Sequence, residues 1–200
     1  TLPRAGIVHR LDKDTSGLML VAASEAARLD LIAALAARTV SRRYLAVVAG
    51  HVAGELLIDA AIGRDPDLRT RQQVRNDGKP ARTRVSVRER YAAHTLIEAA
   101  LETGRTHQIR VHLAHVGHPV VGDKIYGQPD SVYLAFIAAV KASGDPRTVP
   151  DCHPHRHLLH AAAIAFHHPD GSGRVRVESP LPAAFTDAMR TLGVAWPTAG

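Results

Sequence analysis

The order of apolar and polar residues divides the chain into short extended segments with helical segments between them. Runs of strand length, either near-continuous or alternating, occupy residues 18–22, 43–48, 55–62, 94–101, 158–167 and 174–178. The helical patterns are isolated and do not alternate regularly with the strands. The pattern therefore predicts a mixed α+β fold in which helices and loops flank a largely antiparallel sheet.

Helical periodicity predicts a first helix that begins after Ser24, a suitable N-cap, and ends near Thr39. The face that this helix should bury consists of Ala27, Leu31, Ala34 and Leu35. Two further helices are predicted over residues 131–142 and 181–192. We therefore expect helices on both sides of the predicted strands.

Residues 106–116 have the apolar spacing of a short helix, but a strand over 108–113 is also possible, because Ile109, Val111 and Leu113 alternate as well. Thr106 could cap a helix, and Gly117 followed by Pro119 would end it. We favour the helix, since the cap, the stop and the length agree.

Length and composition fit one domain that spans residues 1–200. The hydrophobic content of 46% and the charged content of 22% are those of a globular protein. The single cysteine, Cys152, excludes a disulfide within the chain, and no apolar run approaches the ~20 residues of a membrane helix. We therefore expect a cytoplasmic protein. Because the chain begins at Thr1 and enters a motif almost at once, we also expect that an upstream part is missing.

The charge balance points to nucleic acid as a partner. The 25 Lys and Arg residues exceed the 19 Asp and Glu residues, which gives a formal charge of +6 and a pI near 10.0. A basic surface attracts polyanions, although solvated surfaces in a basic proteome fit this balance equally well. Positive charge is dense in residues 63–84, a hairpin or loop that contains Arg64, Arg69, Arg71, Arg75, Lys79, Arg82 and Arg84. This segment either contacts RNA phosphates or forms a solvated loop, and its lack of aromatic residues argues against base stacking.

Two clusters carry candidate chemistry. Asp12 lies in the turn-rich segment 12–17, where a carboxylate can be held rigidly, although on spacing alone a backbone-capping turn aspartate is favoured. In residues 104–112, His107 and Arg110 share a face near the N-terminus of the favoured helix. That position suits a bound carboxylate or phosphate, and a solvated basic face is an equal alternative.

Tyr44 and the histidines also allow more than one interpretation. A tyrosine within a strand is ordinarily a packing residue, and stacking on a nucleobase is the functional alternative. Residues 143–157 are predicted to be an inserted loop. In and after it lie Cys152, His153, His155, His157 and His160. Their spacing matches no regular zinc pattern, and the chain lacks HExxH, GxSxG and a Gly-rich phosphate loop, so we predict no metal site.

Taken together, the motifs resemble those of the RluA-type pseudouridine synthases. The segment GIVHRLDKDTSGLM resembles the catalytic motif of that family, RYLAVV its next motif and GKPART its central hairpin. LETGRTHQIRVHL and GHPVVGDKIYG resemble the third motif and the segment that follows it. The motifs occur in the order of the family and cover most of residues 4–185.

The resemblance implies an RNA isomerase that replaces the N-glycosidic bond of uridine by a bond to C5, with no metal or organic cofactor. Asp12 matches the essential aspartate, which acts either on the base or at the sugar. Arg110 matches the arginine that pairs with it and keeps it ionised, and Tyr44 matches the tyrosine that stacks on the uracil. Arg10 matches a residue at the flipped-out site. The residues expected to contact RNA are Arg10, Arg64, Arg71, Lys79, Arg82, Arg105 and His107.

The resemblance leaves the substrate open. Large-subunit ribosomal RNA is the first expectation and transfer RNA the second, and a catalytically silent RNA-binding module of the same fold is the alternative. Members of the family begin with a further strand, and many carry a small S4-type RNA-binding domain, neither of which is found before Thr1. We expect a monomer whose partner is RNA and not a membrane.

Overall fold

The chain folds around one mixed β-sheet. The computed structural model describes residues 2–68, 70–144 and 156–194. The strands are β1 (Ser16–Gly17), β2 (Ser41–Ala49), β3 (Leu56–Asp59), β4 (Ile62–Arg64), β5 (Gln72–Val74), β6 (Arg82–Arg90), β7 (His94–Leu101), β8 (Leu159–His167) and β9 (Arg174–Glu178). The helices are α1 (Glu25–Ala36), α2 (Gln108–His115), α3 (Asp130–Ser143) and α4 (Ala183–Thr191), and a short 3₁₀ helix covers Pro3–Gly6.

Seven strands form the main sheet, in the order β1-β8-β2-β7-β6-β3, with β9 also paired to β8. Only the β1–β8 pairing is parallel among the described strands. Strands β4 and β5 form a separate antiparallel hairpin. The predicted α+β fold with a largely antiparallel sheet is therefore confirmed.

The two faces of strand β2 pack against different helices. Tyr44 belongs to a buried cluster with Ile109 and Leu113 of α2. Val47 instead belongs to a cluster with Phe185 of α4. Because side chains alternate between the faces of a strand, α2 and α4 lie on opposite sides of the sheet. Tyr44 is thus directed to the same side as α2.

Helix α1 begins as its sequence predicts. The Ser24 hydroxyl accepts a hydrogen bond from the Ala27 amide at 3.2 Å, and the helix ends at Ala36. Arg38 then adopts the left-handed region, with φ of 61°, which prevents the helix from continuing. The predicted apolar face packs against Ile164 of β8. The residues of this face in the cluster are Ala27, Leu31, Ala34 and Leu35.

Helix α2 confirms the helical interpretation of residues 106–116, but its predicted cap is wrong. The N-cap position is His107, which has φ of 56° and makes no side-chain cap. The Gln108 side chain holds the preceding turn instead, since its Oε1 accepts from the Arg105 amide at 2.9 Å and from the Thr103 hydroxyl at 2.7 Å. A left-handed residue at this position replaces the extended geometry that a Thr cap requires.

Two predicted strands differ from the structure. Residues 18–22 form no regular strand: the paired strand β1 lies just before them, and Val21 makes an isolated antiparallel bridge to Ile7. Met19 and Val21 are exposed, and the Leu20 amide donates to His9 Nε2 and not to a strand. Residues 55–62 divide into β3 and β4, which belong to different sheets. A near-continuous apolar run therefore did not mark a buried strand here.

The other predicted elements are present with small shifts at their ends. The predicted strands 43–48, 94–101, 158–167 and 174–178 correspond to β2, β7, β8 and β9, and the helices 131–142 and 181–192 to α3 and α4. The loop predicted over 143–157 lies largely outside the described residues. None of the helices in the described ranges has the length and apolarity that a membrane crossing requires.

Candidate active site

A cleft of about 340 Å³ brings together residues that are far apart in the sequence. Its walls come from the loop before β1, from the first half of β2, and from the turn that leads into α2. Asp12, Tyr44 and Arg110 all line it. The three residues that the sequence assigned to catalysis therefore share one site.

The loop that carries Asp12 is tied down on both sides. The Thr15 amide donates to the Asp12 carbonyl at 3.0 Å, which closes a turn. The Thr15 hydroxyl is hydrogen-bonded to His157 Nε2 at 2.8 Å, and Arg156 donates through two nitrogens to the Asp14 carbonyl, at 3.1 and 2.9 Å. Asp12 is therefore a turn residue, as its local sequence favours, and a positioned carboxylate at the same time.

Arg110 connects two carboxylates. Its Nε and Nη2 donate to the two oxygens of Asp123, at 2.6 and 2.8 Å, and its Nη1 donates to Asp12 Oδ2 at 3.0 Å. The Asp123 side chain is fully buried, whereas that of Asp12 is 14% exposed. The bidentate pair with Asp123 fixes the plane of the guanidinium and directs the remaining nitrogen at Asp12.

Arg110 and Asp123 each stabilise the charged form of the other. Burial by itself lowers the pKa of Arg110, but the hydrogen bonds and charge of Asp123, joined by those of Asp12, raise it above its ordinary value. Burial likewise acts to raise the pKa of Asp123, and the Arg110 guanidinium more than offsets this and lowers it. Asp123 further accepts from the backbone amides of Ile125 and Tyr126, at 2.9 and 3.2 Å. The pair therefore stays charged across the neutral pH range.

Tyr126 links this group to the β4–β5 hairpin. Its hydroxyl accepts from the Gln72 amide at 3.0 Å and is hydrogen-bonded to His107 Nδ1 at 2.8 Å. The centre of the Arg110 guanidinium lies 5.0 Å from the centroid of the Tyr126 ring, within cation–π range. Burial and then the Arg110 charge lower the pKa of His107, so the imidazole in the cleft wall is neutral at pH 7.

Tyr44 lies deep in the cleft and is only 6% exposed. Burial raises the pKa of its hydroxyl, the Arg42 charge acts against this, and the Asp12 charge adds to it. The phenol is therefore protonated at neutral pH. A neutral aromatic ring beside a carboxylate suits a planar, uncharged group such as a nucleobase.

The residues predicted to contact RNA divide into two groups. Arg10, Arg105 and His107 border the cleft, and Arg105 Nε donates to the Pro80 carbonyl at 3.0 Å, which places Lys79 close by. Neither Lys79 nor the other three predicted residues line the cleft. Those three are Arg64, Arg71 and Arg82.

Arg71 and Arg82 have partners within the protein. Arg71 pairs with Asp65 at 3.0 Å and also with Asp130. Arg82 pairs with Asp59 and lies 3.5 Å from Glu102. Their charge is thus largely offset, and a role for them in RNA binding stays a prediction.

The sequence did not single out the residues that contact the three predicted catalytic side chains or the loop that carries Asp12. Asp123 and Tyr126 lie in the GDKIYG segment, whose motif was recognised but whose residues had no assigned role. His157 lay in the histidine-rich stretch and drew attention only as a metal ligand. Burial lowers the pKa of His157 to about 4. His157 is hydrogen-bonded to Thr15 in the loop that carries Asp12. Only spatial proximity reveals these roles.

The described residues contain no group of three or more side chains arranged to hold a metal ion. His160 of the histidine-rich stretch is hydrogen-bonded to the Ser16 hydroxyl at 2.8 Å and to the Ser179 carbonyl at 3.1 Å. Cys152, His153 and His155 lie outside the described residues, so the prediction about them stays untested.

The cleft beside the mixed sheet contains a carboxylate that an arginine holds next to a buried tyrosine. Comparison with known sequences identifies the class of protein to which this chain belongs. Residues 1–115 match the RNA pseudouridylate synthase family, so the chain belongs to that family. The predicted family is thereby confirmed.

Particular relatives are similar over nearly the whole chain. Ribosomal large subunit pseudouridine synthase D of Nitrosomonas europaea is 47% identical over 194 residues, which are 96% of this chain and 53% of that protein. The protein of the same name from Escherichia coli is 39% identical over 195 residues, covering 96% of this chain and 56% of that protein. The chain thus spans slightly more than half the length of these relatives.

A solved structure supports the same fold. Human RNA pseudouridylate synthase domain containing 1 aligns with a TM-score of 0.69 and 30% identity, over 91% of this chain and 72% of that chain. The shared sheet is consistent with the family assignment.

Proposed function

We propose that this chain forms the catalytic part of an RNA pseudouridine synthase that acts on large-subunit ribosomal RNA. The observation that carries the proposal is the Arg110 guanidinium, which is fixed by buried Asp123 and holds Asp12 in the cleft. The relatives named for large-subunit ribosomal RNA favour that substrate over transfer RNA.

The proposed reaction needs no external group. The N1–C1′ bond of uridine breaks, a C5–C1′ bond forms, and the proton lost from C5 is balanced by one gained at N1. Arg110 occupies Oδ2 of Asp12, and no described residue is hydrogen-bonded to its Oδ1, which leaves that oxygen for the substrate. A carboxylate held in this way can act at the sugar carbon or on the base.

The size and depth of the cleft fit a single nucleotide that has left the RNA helix. A volume of about 340 Å³ lies at the lower end for small-molecule sites. Because Tyr44 and Asp12 line this cleft and not an open surface, the uridine must rotate out of its stack to reach them. Arg10, exposed at the rim, is positioned to contact the RNA that remains.

A turnover assay tests the proposal. The purified chain is incubated with protein-free large-subunit ribosomal RNA and, separately, with transfer RNA, and pseudouridine is mapped at single-nucleotide resolution. We expect new pseudouridine at defined positions of the ribosomal RNA. Modification of transfer RNA alone would indicate that transfer RNA is the substrate. Binding of RNA without turnover would instead support a catalytically silent module.

We predict different effects for two basic residues of segment 63–84, because their partners in the protein differ. Lys79 is exposed and forms no ion pair with the described carboxylates, whereas Arg75 pairs with Asp77 at 2.7 Å. We expect Lys79→Gln to weaken RNA binding and to reduce the slope of log Kd against log salt by about 0.7 to 0.9, the loss of one phosphate contact. Arg75→Gln is the matched control.

The measurement is a salt titration of RNA binding by both variants. Arg75→Gln should change the slope by less than half as much, because its charge is already offset by Asp77. A slope for Lys79→Gln equal to that of the wild type would show that Lys79 does not contact RNA phosphate.

A further inference from the structure

The Arg42 side chain is a half-buried cation of the cleft wall that has almost no partner among the described residues. Its Nη2 donates one long hydrogen bond to the Thr103 carbonyl, at 3.3 Å. Its Nε is buried and has no hydrogen-bond partner among the described residues. Arg43, the next residue, differs in that it pairs with Glu98 at 2.7 Å. Arg42 is therefore a donor group that the folded protein leaves unused.

The groups around Arg42 do not neutralise it. Burial lowers the pKa of Arg42, and Tyr44, which interacts with it, is itself protonated. Burial and the Arg42 charge lower the pKa of His9, while the Arg10 backbone acts in the opposite direction. No carboxylate of the described residues forms an ion pair with Arg42. Even a partly buried charge is costly when no counter-charge offsets it, and a donor left unsatisfied in this way suggests a ligand.

A second unused donor lies beside it. His9 Nε2 accepts from the Leu20 amide at 2.9 Å, so the neutral ring carries its proton on Nδ1. That Nδ1 is buried and also has no hydrogen-bond partner among the residues described. His9 and Arg42 both line the cleft that holds Asp12. Two donors with no acceptor at one wall of a cleft form a site for the oxygens of an anion.

We infer that Arg42 binds a phosphate of the target nucleotide and so fixes the uridine relative to Asp12. The inference rests on the proposed function, since RNA supplies the phosphate. Arg42 is not an additional partner of Asp12, because Arg110 already occupies that role. It acts as a substrate-positioning residue on the nucleotide itself.

Gly104 keeps Arg42 in this place. A Cβ at Gly104 would lie 2.7 Å from Arg42 Nη1, so the guanidinium packs against the backbone of the turn before α2. Gly104→Ala would therefore displace the guanidinium without removing its charge. This variant separates the position of the cation from its presence in the cleft.

The first experiment measures RNA binding and single-turnover rates for Arg42→Gln, with Arg43→Gln as the control on the same strand. The substrate is a ribosomal RNA hairpin that the wild type converts. We expect Arg42→Gln to raise Kd by about 10- to 100-fold, the range of a charge-assisted hydrogen bond, with a much smaller change in rate at saturation. Gly104→Ala should raise Kd by a smaller factor, and Arg43→Gln should change it less than about twofold.

The second experiment replaces single phosphates next to the target uridine with uncharged methylphosphonates. At one of the two flanking phosphates, the methylphosphonate should raise the Kd of the wild type as much as the Arg42→Gln substitution does. The same methylphosphonate should not raise the Kd of Arg42→Gln any further. Additive losses at both positions would overturn the inference. A slower rate at saturation with an unchanged Kd in Arg42→Gln would also overturn the inference, because that result would indicate that Arg42 acts on the uracil.

A third measurement is independent of turnover. Binding of uridine 5′-monophosphate, uridine 3′-monophosphate and uridine is compared by NMR titration. The wild type should prefer one of the monophosphates to uridine, and Arg42→Gln should lose that preference. An unchanged preference in Arg42→Gln contradicts the inference even if the chain modifies RNA, whereas a lost preference supports it even if no pseudouridine is formed.

Discussion

Replacing Asp12 by Asn is expected to reduce pseudouridine formation by at least about 10³-fold while leaving the fold and RNA affinity nearly unchanged. Asn has almost the same shape and retains an oxygen that can accept from Arg110 Nη1, which lies 3.0 Å from Asp12 Oδ2 in the native site. It lacks the negative charge that the reaction requires. The cations that we propose to contact RNA phosphates lie elsewhere on the protein, so affinity should persist.

The matched control is Asp14→Asn, two residues along the same loop. Asp14 lies 3.7 Å from Lys124 Nζ, and its side chain is 34% exposed, so its charge should matter little for turnover. The measurement is the single-turnover rate on ribosomal RNA, together with Kd from a filter-binding or fluorescence assay. Turnover by Asp12→Asn near the wild-type rate, or equal losses in both variants, would remove Asp12 from the mechanism.

The second large effect is expected for Arg110→Ala, which should abolish turnover and destabilise the protein by about 3–5 kcal/mol. The variant leaves the Asp123 carboxylate buried without the guanidinium that offsets its burial. It also releases Asp12 from the one side chain that holds it among the described residues. Urea unfolding and the single-turnover rate measure the two effects separately.

A double variant distinguishes positioning from stability. In Arg110→Met with Asp123→Asn, neither charge remains, and the new amide oxygen can still accept from the backbone amides of Ile125 and Tyr126. We expect this protein to regain most of the lost stability and none of the lost activity. If activity returned with stability, Arg110 would have only a structural role.

Local signals were sufficient for many elements of the fold. Ser24 predicted the start of α1 through a hydrogen bond that depends only on residues three apart. The apolar pattern of residues 94–101 predicted β7, because its alternate side chains meet the two cores on either side of the sheet. Such features depend on sequence neighbours and on burial, both of which can be inferred from the chain itself.

Predictions failed where distant residues provide the partners. Residues 18–22 have the composition of a buried strand, yet their backbone amides donate to the His9 side chain and to the carbonyls of Gly6 and Ala161, which no local pattern reveals. The cap of α2 failed for a related reason, since Gln108 binds the turn and the start of β6 at once. A hydrogen bond between segments that are far apart in the sequence produces no periodic pattern of residue types.

The candidate site likewise combines residues that the sequence predicted with contacts that only the structure revealed. The order of motifs identified Asp12, Tyr44 and Arg110, and the structure places all three in one cleft. Residue type alone also marked residues 63–84 as basic, but it could not tell free cations from paired ones. Arg71 and Arg82 turned out to lie beside carboxylates, while Lys79 forms no ion pair with those that the structure describes.

The sequence by itself thus determined the family, the mixed antiparallel sheet and the identity of the three central side chains, because motif order and strand periodicity are written along the chain. Only the tertiary structure showed that Asp123 fixes Arg110 and that Arg42 is half-buried without a counter-charge among the described residues. Burial and the pairing of charges are properties of how segments meet in space. They decide which of many arginines is structural and which remains available to the substrate.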